Sequence, residues 1–369
     1  MNNESGALRY DLSDLTWDLC ALYERTGYRK YRMRKFEEYS LYLENKNFLA
    51  SEHVITFNGL DGRLLALKPD VTLSIVKNTA ASEAAGEKLY YSESVYRLDG
   101  KSREYREIGQ VGLEMLGGVD AVGTCEVLSL ALESLSLVSE RSVLAVSHMG
   151  FLDAVFRSLG ITDSASESLF SCRGAGNAHE LLRRARELGI SEEVAGRLAT
   201  LISLDADEQE KLLAARELAV TREAALAEDE LETILSEMTL AGYRNRLHLD
   251  FSVVSDRGYY NGIVFSGYVD GVPKAVLSGG RYDRLTRKFG KSISALGFAV
   301  YLSELSYFLR SGGDYDVDVL LLYGEGDTPS EVCIATERLR ESGSVRVARE
   351  IPEGLRYREL IRLGEVKEC

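Results

Sequence analysis

Gly279-Gly280-Arg281-Tyr282-Asp283 is followed twelve positions later by Ala295-Leu296-Gly297-Phe298-Ala299-Val300-Tyr301-Leu302-Ser303-Glu304. The paired glycines read as a turn whose backbone comes close to a ligand. Residues 299–309 read as a helix that closes a domain. Just upstream, 247–254, 263–268 and 274–277 have the β-branched and aromatic character of strands. A set of short strands ending in a glycine-rich wall and a helix therefore decides the reading of the main domain.

The rest of the chain extends this pattern. Leu12, Leu15, Leu19 and Leu22 follow helical spacing, with Gly27 as the stop. Residues 28–33 alternate like a strand. Residues 54–57 and 64–67 flank Asn58-Gly59-Leu60-Asp61-Gly62, a hairpin signal. Pro69-Asp70-Val71-Thr72 opens a helix over 73–78. Residues 89–97 and 107–116 read as a strand pair around a loop at 99–102, followed by a helix over 124–137 and a strand over 143–146.

From about 150 to 242 the character changes to Leu, Ala, Glu and Arg, with helices expected over 180–187, 192–202 and 208–227. This reads as an inserted helical subdomain whose charges form solvated faces. Ser311-Gly312-Gly313 is a short linker. Beyond it come a strand (317–323), a helix (330–341), a strand (345–348) and a helix (355–363). The class is α+β: a core over 1–310 with the insert, then a small α/β module over 314–369.

Composition narrows the function. The 369 residues are 45% hydrophobic, ample for a buried core, and the formal net charge is −14. Nucleic-acid affinity rests on neutralising phosphates with a basic face, so this balance argues against tRNA as a partner. The five cysteines (20, 125, 172, 333, 369) and four histidines (53, 148, 179, 248) are scattered, with no metal-ligand spacing. No metal or cofactor is expected, and the thiols read as reduced. The amino terminus has no basic, apolar leader and no stretch approaches the ~20 apolar residues of a membrane span. The expected location is the cytoplasm, away from membranes.

Four segments carry candidate chemistry. Asp70 and Thr72 stand at a helix start, where they would receive an ammonium group or simply cap the helix. On the strand over 107–116, Ile108, Gln110, Gly112 and Glu114 share one face. A polar pair separated by glycine makes ligand space or an ordinary solvent-facing strand. Tyr259 and Tyr260 enter a strand and line a pocket or pack in the core. The fourth segment is the glycine pair with Tyr282.

In this order and spacing, the four segments resemble the catalytic domain of class II histidyl-tRNA synthetases, over roughly residues 10–310. The resemblance is carried above all by Tyr259-Tyr260-Asn261-Gly262-Ile263-Val264-Phe265 and Ser278-Gly279-Gly280-Arg281-Tyr282-Asp283. It implies an antiparallel sheet flanked by helices. It also implies a histidine pocket built from Asp70, Thr72, Gln110, Glu114, Tyr259, Tyr260 and Tyr282, with Asp70 in place of the family's usual glutamate.

The departures concern ATP. Tyr96-Arg97-Leu98-Asp99 keeps, in Arg97, the arginine that grips the α-phosphate, here a vestige. A second catalytic arginine aligns with Ser255, and Arg257 lies two residues out of register. The arginine of the last motif aligns with Glu304, a glycine of that motif with Tyr301, and a proline at the dimer interface with Arg34. Fixed cations stabilise the charge that develops at phosphate during amino-acid activation, and each loss costs ~10²–10³ in rate. Two losses should abolish adenylation.

A non-catalytic relative with these features resembles the regulatory subunits of ATP phosphoribosyltransferase. The resemblance implies a chain without catalytic residues that joins a short-form catalytic subunit in a hetero-oligomer, pairs as a homodimer through residues 28–36, and answers histidine as effector in the first step of histidine biosynthesis. A divergent synthetase and a synthetase-like scaffold are the alternatives.

Overall fold

The computed structural model describes residues 12–46, 49, 53–99, 102–162, 165–166, 169, 178–203, 205–253, 259–310, 315–341 and 343–366. The chain divides into a unit Leu12–Ser306 and a second unit that includes Tyr307–Cys369.

In the first unit, α1 (Leu12–Arg25) leads into β1 (Arg29–Lys30), β2 (Phe36–Glu38), α2 (Tyr39–Glu44), β3 (Thr56–Asn58), β4 (Leu64–Leu67) and α3 (Thr72–Asn78). The strand pair β5 (Glu87–Leu98) and β6 (Tyr105–Leu116) follows, then α4 (Ala121–Val138), β7 (Ser142–His148) and α5 (Met149–Ser158). Helices α6 (Ala178–Glu187), α7 (Glu192–Ile202), α8 (Glu208–Leu218) and α9 (Arg222–Leu240) form the insert together with α5. The chain returns through β8 (Leu247–Leu249), β9 (Ile263–Val269), β10 (Leu277–Arg281), α10 (Asp283–Lys288), β11 (Ala295–Tyr301) and α11 (Leu302–Arg310).

Eight strands form one sheet in the order β1-β5-β6-β11-β10-β9-β7-β8. Its ends are parallel (β1 with β5, β7 with β8), and the interior pairs are antiparallel. Strands β9 and β11 are largely apolar and buried, whereas β5 and β6 carry polar and partly exposed residues. On one face lie α1 and α4. Leu15, Leu19, Leu22 and Tyr23 of α1 are buried there, each large apolar side chain contributing ~1.5–3 kcal/mol. Tyr23 meets Ser134 of α4 at 2.8 Å, so its hydroxyl is satisfied where it is buried. Helix α4 is long and apolar enough to cross a membrane by length and composition, yet it is a core helix here, with Leu128, Ala131, Leu132 and Leu135 wholly buried. The other face carries the cavity described below.

Several expected boundaries moved. The Gly279-Gly280-Arg281 segment is not a turn but the end of β10, and residues 299–301, expected to be helical, complete β11. The glycines are needed because strands crowd there: a Cβ on Gly279 would lie 2.3 Å from the Gly297 carbonyl oxygen, and one on Gly280 would lie 2.7 Å from the Tyr260 ring. The single helix expected over 208–227 is two. Thr221 breaks it, its hydroxyl accepting from Ala224 N at 3.2 Å to start α9, which runs on to Leu240. The strand expected over 28–33 is reduced to Arg29–Lys30, and that over 247–254 to Leu247–Leu249.

In the second unit, β12 (Val317–Leu322), α12 (Pro329–Arg340), β13 (Val345–Ala348), β14 (Tyr357–Arg362) and α13 (Leu363–Val366) make a parallel sheet in the order β13-β12-β14. The helix expected over 355–363 is therefore mostly strand. Pairing β14 along β12 satisfies a full edge of backbone groups, and local propensity gives way to it. Thr328 and Glu331 form a capping box at the start of α12.

Candidate functional site

The cavity opens on the sheet face opposite α1 and α4. Period-two alternation places Gln110, Gly112 and Glu114 of β6 on this face. Register then adds Tyr91 opposite Gly112, Gly297 opposite Glu114, Ala299 opposite Gly112, and Tyr301 opposite Gln110. Ser278 of β10 pairs with Ala299. Small residues thus hollow out the centre of a sheet that is otherwise filled. A Cβ on Gly297 would stand 1.8 Å from the Glu114 carboxylate, and one on Gly112 would stand 2.6 Å from the Tyr91 hydroxyl. The resulting volume is about 160 Å³, below the ~300–1,000 Å³ of pockets for drug-sized ligands.

All seven candidate pocket residues and Arg97 line this one cavity. Glu114 lies at its floor, 2% exposed, accepting from Thr72 Oγ1 at 2.7 Å and from the Tyr282 hydroxyl at 2.5 Å. Burial pushes its carboxyl up to about 8, against the two donated hydrogen bonds and with Asp70 adding repulsion. Burial likewise drives the Tyr282 and Tyr260 hydroxyls well above the usual tyrosine range. Tyr259 packs between Tyr260 and Tyr282, with ring centroids 4.6 and 5.8 Å away, and the three rings make an aromatic wall.

Asp70 caps and faces the cavity at once. Its Oδ1 accepts from Leu73 N at 2.8 Å at the start of α3, while Oδ2 lies 3.5 Å from Arg97 Nη2. Burial raises its carboxyl, and the Arg97 guanidinium opposes that shift. Arg97 also donates from Nε to the Pro69 carbonyl at 2.7 Å. The cavity therefore has two polar ends: the Glu114 carboxyl between two hydroxyls on the floor, and an Asp70–Arg97 ion pair higher on the wall. Such a place suits a small molecule that carries both a cation and an anion.

Glu304 stands outside the cavity lining, paired with Lys274 at 3.1 Å. Its charge is directed at a surface lysine, 64% exposed. Ser255 and Arg257 lie outside the described residues. Tyr301, Ser278, Tyr91, Gly297 and Leu49 line the cavity without having been singled out as pocket residues. Tyr301 meets Ser278 Oγ at 2.5 Å. Its alternation with Gly297 and Ala299 was hidden because 299–301 read as helix, whereas Tyr91 was open to detection from its register opposite Gly112. No cluster of metal-ligating side chains occurs among the described residues.

Comparison with known proteins gives a consistent answer. The family model described as histidyl-tRNA synthetase matches residues 10–305. An ATP phosphoribosyltransferase regulatory subunit from Lactococcus lactis is 29% identical over 297 residues, 77% of this chain and 88% of that protein. Among solved structures, an ATP phosphoribosyltransferase regulatory subunit/histidyl-tRNA synthetase from Bacillus halodurans has a TM-score of 0.75 at 22% identity, covering 98% of each chain. A chain of an ATP phosphoribosyltransferase complex from Thermotoga maritima has a TM-score of 0.61 at 17% identity, covering 79% of this chain and 98% of that one.

Proposed function

We propose that the chain, which belongs to the histidyl-tRNA synthetase family, is an ATP phosphoribosyltransferase regulatory subunit: the non-catalytic subunit of a hetero-oligomeric enzyme that senses histidine. Its partner is a short-form catalytic subunit, and its effector site is the cavity on the sheet. In this reading the imidazole of histidine meets the Glu114 carboxyl, which Thr72 and Tyr282 hold in place. The ammonium goes to Asp70 and the carboxylate to Arg97, so the ligand's own charges replace the Asp70–Arg97 pair. Gln110 and the tyrosine wall enclose the rest.

The observation that carries this reading is the junction of β11 and α11. Tyr301, which the sequence resemblance aligns with a synthetase glycine, lines the cavity, and Glu304, which it aligns with their arginine, turns out to Lys274. The amino-acid end of the site is furnished while the nucleotide end is narrowed and holds no second cation among the described lining residues. A ligand that binds two states of an assembly with different affinity shifts their balance, and feedback inhibition needs nothing more.

The homodimer belongs to the same reading. Phe36 and Phe57, exposed on the β2-β4-β3 sheet, stack edge to face at 5.1 Å, and Leu60 projects from the hairpin tip. This apolar face sits beside residues 28–36 and would be covered by a second copy. Phe57→Asp should shift the protein toward monomer in sedimentation.

The deciding experiment is co-expression with a short-form catalytic chain. Co-purification and phosphoribosyl transfer that histidine inhibits are expected. Histidine-dependent exchange of pyrophosphate into ATP by the chain alone would overturn the proposal in favour of a synthetase.

A further inference from the structure

Arg281 immediately precedes the cavity residue Tyr282, yet its own side chain leaves the cavity. Strand alternation sends it to the opposite side, toward the helical insert. Its Nε lies 2.9 Å from Asp283 Oδ2 and its Nη1 lies 3.2 Å from Glu230 Oε1 on α9. Glu230 Oε2 is 3.3 Å from His148 Nε2, and His148 Nδ1 accepts from Phe151 N at 3.0 Å to cap α5. That bond fixes the tautomer, so Nε2 carries the hydrogen donated to Glu230. The hydrogen bond from His148, together with Arg281, holds the Glu230 carboxyl below its usual range.

The backbone of Arg281 is equally committed. Its carbonyl accepts from Asn261 N at 2.9 Å, the residue after Tyr260, and the next peptide is that of Tyr282. Gly262 leaves the slot its side chain fills: a Cβ there would lie 2.8 Å from Arg281 Cδ. A second line runs in parallel, from Arg284 Nη2 to Asp153 Oδ2 of α5 at 3.2 Å. The line is half-buried: His148 is 3% and Asp283 9% exposed, while Arg281 and Glu230 are 22% and 34% exposed, and their contacts are charge-assisted.

We infer that Arg281 is a positioning residue that couples the cavity to the helical insert, so that ligand occupancy and the placement of α9 form one equilibrium. The inference rests on the reading of the cavity as a histidine site. Movement of Tyr282 with Glu114 on ligand entry is carried through the adjoining peptide to Arg281, and from its guanidinium to Glu230 and His148. The insert thereby gains a role as the part of the molecule that registers an occupied pocket.

The test is hydrogen–deuterium exchange and calorimetry on the full chain with L-histidine, comparing wild type with Glu230→Gln, Arg281→Met and Arg281→Lys. Histidine should slow exchange over Arg222–Leu240 in the wild type. Glu230→Gln and Arg281→Met should weaken histidine binding by ~2- to 30-fold and abolish that protection. Arg281→Lys should restore part of both, which loss of mere packing would not produce. If Arg281→Met does not fold, Glu230→Gln decides. Wild-type affinity in Glu230→Gln, or histidine binding without any change over Arg222–Leu240, overturns the inference and leaves the pocket reading standing. Absence of histidine binding to the wild type overturns the pocket reading, and the inference with it.

Discussion

Tyr282 donates a hydrogen bond to Glu114 across 2.5 Å, and both side chains are 2% exposed. Thr72 supplies the other donor to the same carboxyl. Removing one of two donors to a buried acidic group costs about 1.5 kcal/mol or more. Tyr282→Phe should therefore weaken histidine binding about tenfold while leaving the fold intact. Calorimetry checks this, and unchanged affinity would place histidine elsewhere.

The Glu114 carboxyl makes stability depend on pH in a definite direction. Its value rises from an ordinary 4.5 to about 8 in the folded chain. Between those values the folded state keeps a proton that the unfolded state releases. Its stabilising contribution is complete below about 4.5, falls as pH rises, and is gone above about 8. At ~1.4 kcal/mol per unit over about 3.5 pH units, the fall is on the order of 5 kcal/mol. Glu114→Gln, which stays neutral, should lack this decline, so its denaturation midpoint should gain on the wild type between pH 5 and 8. Parallel curves for the two proteins would show that Glu114 is charged when buried.

Arg97 should read the ligand's carboxylate. Wild-type protein is expected to prefer histidine over histidinol, which has an alcohol in place of that group, by at least tenfold, since a charged hydrogen-bonding partner contributes ~1.5–3 kcal/mol. Arg97→Met should bind both weakly and nearly equally. Competition titrations measure the ratio, and an undiminished preference in the variant would remove Arg97 from the site.

Gly297 is the residue whose smallness the cavity depends on most directly. A Cβ there would meet Glu114 Oε2 at 1.8 Å and the Leu113 carbonyl oxygen at 2.5 Å. Gly297→Ala should destabilise the protein by ~1–3 kcal/mol through overpacking and eliminate histidine binding. Thermal melts with and without histidine would reveal both, and a ligand-stabilised Gly297→Ala protein would contradict the account.

Much of this architecture was legible in the sequence because it follows local rules. The leucine spacing of α1, the hairpin at Asn58–Gly62 and the alternation of Gln110, Gly112 and Glu114 each reflect a period that burial imposes. What failed were segments whose state is set by distant partners. Residues 299–301 look helical alone, yet β6 and β10 on either side make them strand. Residues 357–362 likewise become strand only because β12 offers an open edge. The side chains of Glu304 and Arg281 were the least legible. Nothing near them in sequence announces Lys274 or Glu230, and their direction decides what they do.

The pairing of Glu304 with Lys274 decides how a substitution at this position would be received. Restoring arginine at position 304 would bring a cation against Lys274, and the new side chain would be repelled from the place its predecessor left. Tyr301 would still fill its part of the cavity. With Lys274 64% and Glu304 36% exposed, the pair adds only ~0–1 kcal/mol to stability, so what it sets is the direction of the Glu304 side chain, away from the cavity.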